Sequence, residues 1–156
     1  MAVHTRDDHH RGVFTVCGSL GEVSANRAAL HVVHRTLAES AVPVVDDATL
    51  GVIPPLQPDL VDTPGDAVAT FRRHIADAGA VIIAAPEYAG SLAGSVKNAL
   101  DWLSRPAFAG VLVGKPTAVI AVTPSAHQPM ETLGQTEFTL EMCGAVVVRP
   151  GVAIGS

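Results

Sequence analysis

Residues 80–102, AVIIAAPEYAGSLAGSVKNALDW, constrain the fold more than any other stretch of this chain. The run 80–85 is apolar throughout and of strand length, the pattern of a strand buried on both faces. Pro86 has no N–H to give to a ladder and is expected to end that strand. Gly90 and Gly94 permit a turn that side-chain-bearing residues resist, and let a flat ligand approach the main chain. Ser95 is expected to N-cap the following helix, in which Val96, Leu100 and Leu103 recur at helical spacing. A strand, a glycine-bearing loop and a helix in that order form a ligand loop at the carboxyl edge of a parallel sheet.

The rest of the chain repeats the alternation. Residues 12–17 (GVFTVC) read as a first strand, followed by the turn 18–21 and a helix capped by Ser24, with Ala25, Ala28, Ala29, Val32, Val33 and Leu37 as its apolar face. Residues 42–45 read as a short second strand. The stretch 46–62, rich in proline and acidic residues, is expected to be an exposed connection. Thr63 then caps a helix with Pro64 at its first position and Asp66 in its first turn, and Val68, Phe71, Ile75 and Ala78 form its buried stripe. Residues 116–122 (PTAVIAV) predict a fourth strand, 130–142 a less regular helix, and 145–148 a fifth strand. Strands alternating with helices predict an α/β fold with a parallel sheet covered on its faces.

A chain of 156 residues suits one domain. Residues 12–156 form that domain, and the polar, histidine-bearing segment 1–11 is expected to be a flexible arm and not a signal peptide. The net charge of −5, without a basic cluster, excludes nucleic acid as the main partner. No apolar run reaches the ~18 residues that a membrane span needs. Cys17 and Cys143 lie in or beside apolar segments, so they read as small buried residues in a reducing, cytoplasmic compartment. His31, His34 and His74 fall on polar helix faces. No histidine pair with a carboxylate has metal-site spacing, so no metal centre is expected.

The string PEYAGSLAGSVKNALDW is similar to the PEYN-x-S-x-PG-x-LKNA-x-DW signature of the NADPH-dependent FMN reductase family, with Ala89 at the family's Asn and Ala93 at its Pro. The resemblance implies a flavodoxin-like, doubly wound, five-stranded parallel sheet of order 2-1-3-4-5. It also implies FMN as cofactor, NAD(P)H as co-substrate and a small-molecule electron acceptor such as a free flavin or a quinone. A homodimer or homotetramer is expected as well. The turn 18–26 (GSLGEVSAN) is similar to the family's GS-x-R-x-x-S-x-N phosphate loop, which assigns Gly18, Ser19, Leu20, Ser24, Ala25 and Asn26 to the phosphate. A helix N-terminus with small hydroxyl residues suits an anion. Gly21 stands where the family has arginine, and loss of one charge-assisted bond of roughly 1.5–3 kcal/mol weakens FMN binding about tenfold to a hundredfold.

By the same resemblance Pro86, Glu87, Tyr88, Ala89, Gly90 and Ser91 wrap the isoalloxazine ring, and Thr123 and Ser125 touch the ring or ribityl chain. No side-chain acid or base is assigned as catalytic, because the flavin carries the reaction. Lys97, Asn98 and Asp101 are read as structural or interfacial, and Trp102 as a core anchor. Family members continue after the fifth strand into a last helix, and since only PGVAIGS follows Arg149 the resemblance implies that this helix is missing from these 156 residues. Its absence leaves apolar sheet surface that water penalises at ~25 cal/mol per Å², so a partner subunit is expected to cover it. Two other readings of the same residues are a flavodoxin-like electron carrier and a degenerate member that acts, without FMN, as an interaction protein.

Overall fold

The computed structural model describes residues 12–47 and 49–156; the expected arm 1–11 lies outside them. Strands β1 (Val13–Cys17), β2 (Val44–Asp47), β3 (Ala80–Tyr88), β4 (Ser91–Leu92), β5 (Pro116–Val122), β6 (Val146–Val147) and β7 (Val152–Ile154) alternate with helices α1 (Ala25–Glu39), α2 (Asp66–Asp77), α3 (Gly94–Leu103) and α4 (Met130–Met142). The main sheet runs β2-β1-β3-β5-β6 with all neighbours parallel. Counted in the five strands read from the sequence, this is the order 2-1-3-4-5.

Two details differ from that five-strand reading. The fifth strand is split: β6 pairs with Pro116 and Thr117, and after a break β7 resumes on the same edge beside residues 120–122. Residues 152–154 are therefore its second half and not a tail behind it. A second addition is β4, which folds back antiparallel on the end of β3.

The third strand also does not stop at Pro86. Ala84 turns its carbonyl toward β1, where it accepts from Gly18 N at 2.8 Å. Pro86 faces the same way one repeat later, beyond the last β1 pair at Cys17. Its missing N–H therefore costs no ladder bond, and its carbonyl accepts from Ala93 N at 3.3 Å.

The helix starts show the same mixture. Ser24 caps α1 as expected, in extended conformation and accepting from Arg27 N at 3.3 Å. Thr63 does not cap α2; Gly65, at φ +78°, turns the chain into that helix, and Asp66 sits in the first turn. Ser95 does not cap α3, which begins one residue earlier behind Ala93.

The two sheet faces are unequal. The main core lies on one face, where Phe14, Val16, Val81, Ile83 and Val119 pack against α2, α3 and α4 through Phe71, Ile75, Leu100, Trp102 and Leu140. The stretch 46–62 is not wholly exposed, because Leu50 and Ile53 join this core. Asn98 and Trp102 draw the stretch in: Asn98 Nδ2 donates to Pro54 O at 2.9 Å and Ile53 O at 3.3 Å, Leu56 N donates to Asn98 Oδ1 at 2.9 Å, and Trp102 Nε1 donates to Pro54 O at 2.7 Å. Both residues are thus structural, and Trp102 is fully buried.

The opposite face carries only α1 among the described helices, over a small cluster of Cys17, Leu30 and Ala84. Within α1, Asn26 and Leu30 are buried, whereas Ala25, Ala28 and Val32 of the expected apolar face are exposed. No second described helix lies beside α1 to cover that flank. Val147 and Ala153 point into the main core. Their alternates Val146, Val148, Val152 and Ile154 therefore point to the α1 side, where they stay 42 to 55% exposed. Two histidines also leave the polar faces expected of them: His34 Nε2 lies 2.9 Å from the buried Thr15 hydroxyl, and the His74 ring packs on Phe14 at 5.6 Å.

Asn98→Ala should lower unfolding free energy by about 2 kcal/mol, since three hydrogen bonds that hold a core-lining segment disappear while Pro54 keeps Trp102 as a donor. Urea unfolding of the two proteins measures it.

Candidate active site

The carboxyl ends of β1, β3 and β5 lie side by side in the sheet, so the three loops that follow them share one edge. These are the loops singled out in the sequence.

The first loop leaves β1 at Gly18, where no side chain fits. A Cβ there would lie 2.3 Å from Val96 Cγ2, 2.7 Å from Pro86 Cδ and 2.9 Å from Ala84 O. Ser95, inside the first turn of α3, donates its hydroxyl to Gly18 O at 2.6 Å. Ser19 is buried, and Leu20, Glu22 and Val23 are exposed. Behind them α1 opens with the amides of Ala25 and Asn26, which have no partner within the helix. Asn26 is 4% exposed; its Nδ2 donates to Val122 O at 3.4 Å, and its buried Oδ1 has no partner among the described residues. An unpartnered acceptor at such depth is costly unless a ligand donor meets it.

The second loop is a two-residue hairpin. Ala89 and Gly90 both have positive φ, +52° and +70°, and Tyr88 pairs with Ser91 across them. Two positive φ angles in a row define the tight turn for which Asn-Gly is the preferred pair. Ala89 therefore sits where its Cβ is disfavoured. The hairpin leans on α4, whose Gln135 Oε1 accepts from Ser91 Oγ at 2.6 Å and from Leu92 N at 3.3 Å. Tyr88, Ala89 and Gly90 face solvent. The Glu87 carboxylate turns away from that open side: it accepts from His127 and from the buried Thr132 of α4. The His127 bond, aided by that of Thr132, holds the Glu87 carboxyl below the usual carboxylate range. Its ionised form supports the loop at and above ordinary carboxylate pKa values, and acid removes that support as pH falls through the lowered value.

The third loop starts at Thr123, buried, with its N–H donating to Ile154 O at 3.0 Å and its hydroxyl accepting from Ser125 N at 3.3 Å. Ser125 is exposed. Every residue assigned to a ligand by the sequence thus falls on this one sheet edge. The roles of Ser95, His127, Thr132 and Gln135 were not legible; their partners lie 40 to 77 residues away, and no local pattern marks them.

Fold and loops together define a flavodoxin-like α/β protein in which three loops meet at one sheet edge. Residues 12–156 match the NADPH-dependent FMN reductase family, and the chain belongs to it. A 2-hydroxy-1,4-benzoquinone reductase of a Burkholderia species is 36% identical over 114 residues, which are 73% of this chain and 61% of that protein. An NAD(P)H-dependent FMN reductase of Pseudomonas aeruginosa is 32% identical over 126 residues, 71% of this chain and 59% of the relative. Among solved structures, the flavoenzyme NAD(P)H:(acceptor) oxidoreductase FerB of Paracoccus denitrificans superposes with a TM-score of 0.82 at 29% identity, covering 91% of this chain and 78% of that one. The chain spans about three fifths of the length of these sequence relatives.

Replacing Ala89 by Asn, the better residue for a left-handed turn position, should raise stability by about 0.5–1 kcal/mol. For a domain of this size that is a melting rise of roughly 1–4 °C, readable by calorimetry.

Proposed function

We propose that this chain forms the FMN site of an NAD(P)H-dependent oxidoreductase that passes electrons from NAD(P)H, through bound FMN, to a free flavin, a quinone or a similar small acceptor. The observation that carries the reading is the buried, unpartnered Asn26 Oδ1 at the mouth of a helix N-terminus, inside a ring of three loops. A ribityl hydroxyl is a donor of the kind that this acceptor lacks. The amides of Ala25 and Asn26 with the hydroxyls of Ser19 and Ser24 suit the phosphate, together with the main-chain N–H of Leu20, while Gly18, whose own N–H goes to Ala84 O, serves by its lack of a side chain. Residues 87–91 offer the ring a hairpin whose exposed backbone can bond its polar rim, and Pro86 supports them from a buried position against Gly18. Thr123 and Ser125 close the third side.

When bound, FMN supplies the hydride chemistry, accepting two electrons from a nicotinamide and giving them to the acceptor. The protein binds and orients. Exposed Tyr88 and the open hairpin leave one side of the site accessible, as alternating reactants require. No side chain is assigned as catalytic. Names of the relatives support a quinone among the acceptors. The two free buried cysteines fit a reducing cytoplasm, and no described helix is long and apolar enough to cross a membrane.

A homodimer or homotetramer belongs to the same proposal. The row Val146, Val148, Val152 and Ile154 is apolar surface that a subunit contact would remove from water. Val152→Asp should shift a size-exclusion series toward smaller species. A protein that stays monomeric at every concentration contradicts this part.

The flavin-free alternative rests on Gly21, where no arginine reaches the phosphate. A side chain fits there: an added Cβ would meet nothing nearer than Val23 O at 3.5 Å. FMN titration followed by flavin fluorescence separates the readings, since saturable quenching is expected and its absence supports the alternative. Gly21→Arg should tighten FMN binding about tenfold to a hundredfold. Steady NADPH oxidation with a quinone then distinguishes a reductase from an electron carrier.

A further inference from the structure

Two of the three loops are joined by a single side-chain pair. Glu87 leaves the end of β3 with its side chain only 8% exposed, although its loop faces solvent. Both carboxylate oxygens are bonded: Oε1 lies 2.5 Å from His127 Nε2, and Oε2 accepts from Thr132 Oγ1 at 3.0 Å. An ionised carboxylate only accepts, so His127 presents a protonated Nε2 to it. Thr132 and Gln135 tie the hairpin to α4. Among the described residues, His127 alone makes a side-chain bond from the loop after β5 to the loop after β3.

His127 is held from its other side as well. A Cβ on Gly155 would lie 2.3 Å from His127 O, so the end of β7 presses directly on its backbone. Ser156 adds bonds from its N–H to Ser125 O at 2.9 Å and from its hydroxyl to Pro124 O at 2.7 Å. The loop after β5 is therefore supported at its back by the edge strand and at its front by Glu87. The imidazole itself is 59% exposed, so core packing does not explain its position.

We propose that His127 is a positioning residue for the flavin ring: by clasping Glu87 it fixes the loop after β5 against the hairpin after β3, and the FMN affinity of the site depends on that clasp. The proposal rests on the flavin reading of the site, but its first consequence, closure of the two loops, needs no flavin. A partly exposed pair of this kind changes an equilibrium by about three- to fivefold, not by orders of magnitude.

His127→Ala and His127→Gln test it, since the glutamine amide nitrogen can occupy the place of Nε2 and donate to the same oxygen. Amide hydrogen exchange without flavin should be about three- to fivefold faster in His127→Ala over residues 88–92 and 123–128, and return to the native rate in His127→Gln. The FMN dissociation constant should follow the same order, raised in the alanine variant and restored by glutamine. Unchanged exchange in His127→Ala, or equal effects of alanine and glutamine, overturns the clasp. Faster exchange with an unchanged FMN constant overturns its link to the cofactor. If the native protein itself takes no FMN, the flavin reading and the affinity half of the proposal fall together, while the exchange rates still decide the clasp.

Discussion

Gly18 is the point on which the ligand edge depends. It leaves β1 within van der Waals reach of Pro86 near the end of β3 and of Val96 from the helix behind it, and a methyl group there would overlap both. Gly18 therefore packs directly on the end of β3 and on α3, and Ser95 holds that approach by donating to the Gly18 carbonyl. A larger residue would push the turn after β1 away from the end of β3, even if every other residue of the edge were kept.

From that contact the edge closes into a triangle of tethers. Ser95 joins the first loop to the helix after the second. Asn26, in the first turn of α1 behind that loop, joins it to the end of β5 through Val122 O. Glu87 and His127 join the second loop to the third. Each tether reaches between segments far apart in sequence, so the arrangement becomes stable only once the sheet has formed. This division suits a cofactor site: the strands set where the loops begin, and a few polar bonds set how far apart they stand. Beneath the edge, Asn98 and Trp102 perform a parallel task by drawing the stretch after β2 onto the core.

The alternation of strands and helices was legible because the apolar runs at 80–85 and 116–122 are of strand length and bounded by turn residues. The loops that share the sheet edge were legible as loops because glycines and small hydroxyls cluster directly after those runs. Helix starts were less so: Ser95 and Thr63 have good capping side chains, yet one serves a distant carbonyl and the other gives way to Gly65, whose positive φ makes the turn. The strand through Pro86 was obscured because a proline is harmless where the neighbouring strand has ended, and register is not written in a single segment. The split of the last strand and the tethers by His127, Thr132 and Gln135 depend on long-range packing that no local pattern encodes.

The departures from the family signature concern side chains at places where the backbone carries the geometry. Ala89 keeps the left-handed turn despite its Cβ, because the β3–β4 pairing and the Gln135 bonds fix the hairpin on both sides. Gly21 removes a cation yet leaves the loop between Gly18 and the Ser24 cap free of steric conflict. What such changes alter is strength: a strained turn costs stability, and under the proposed function a missing guanidinium costs phosphate affinity. The capped start of α1 and the hairpin after β3 form despite both. A site built from main-chain donors at a helix start and a hairpin tolerates this drift more readily than one built from a catalytic side-chain constellation, since the sheet edge holds the donors in place and the cofactor brings the reactivity.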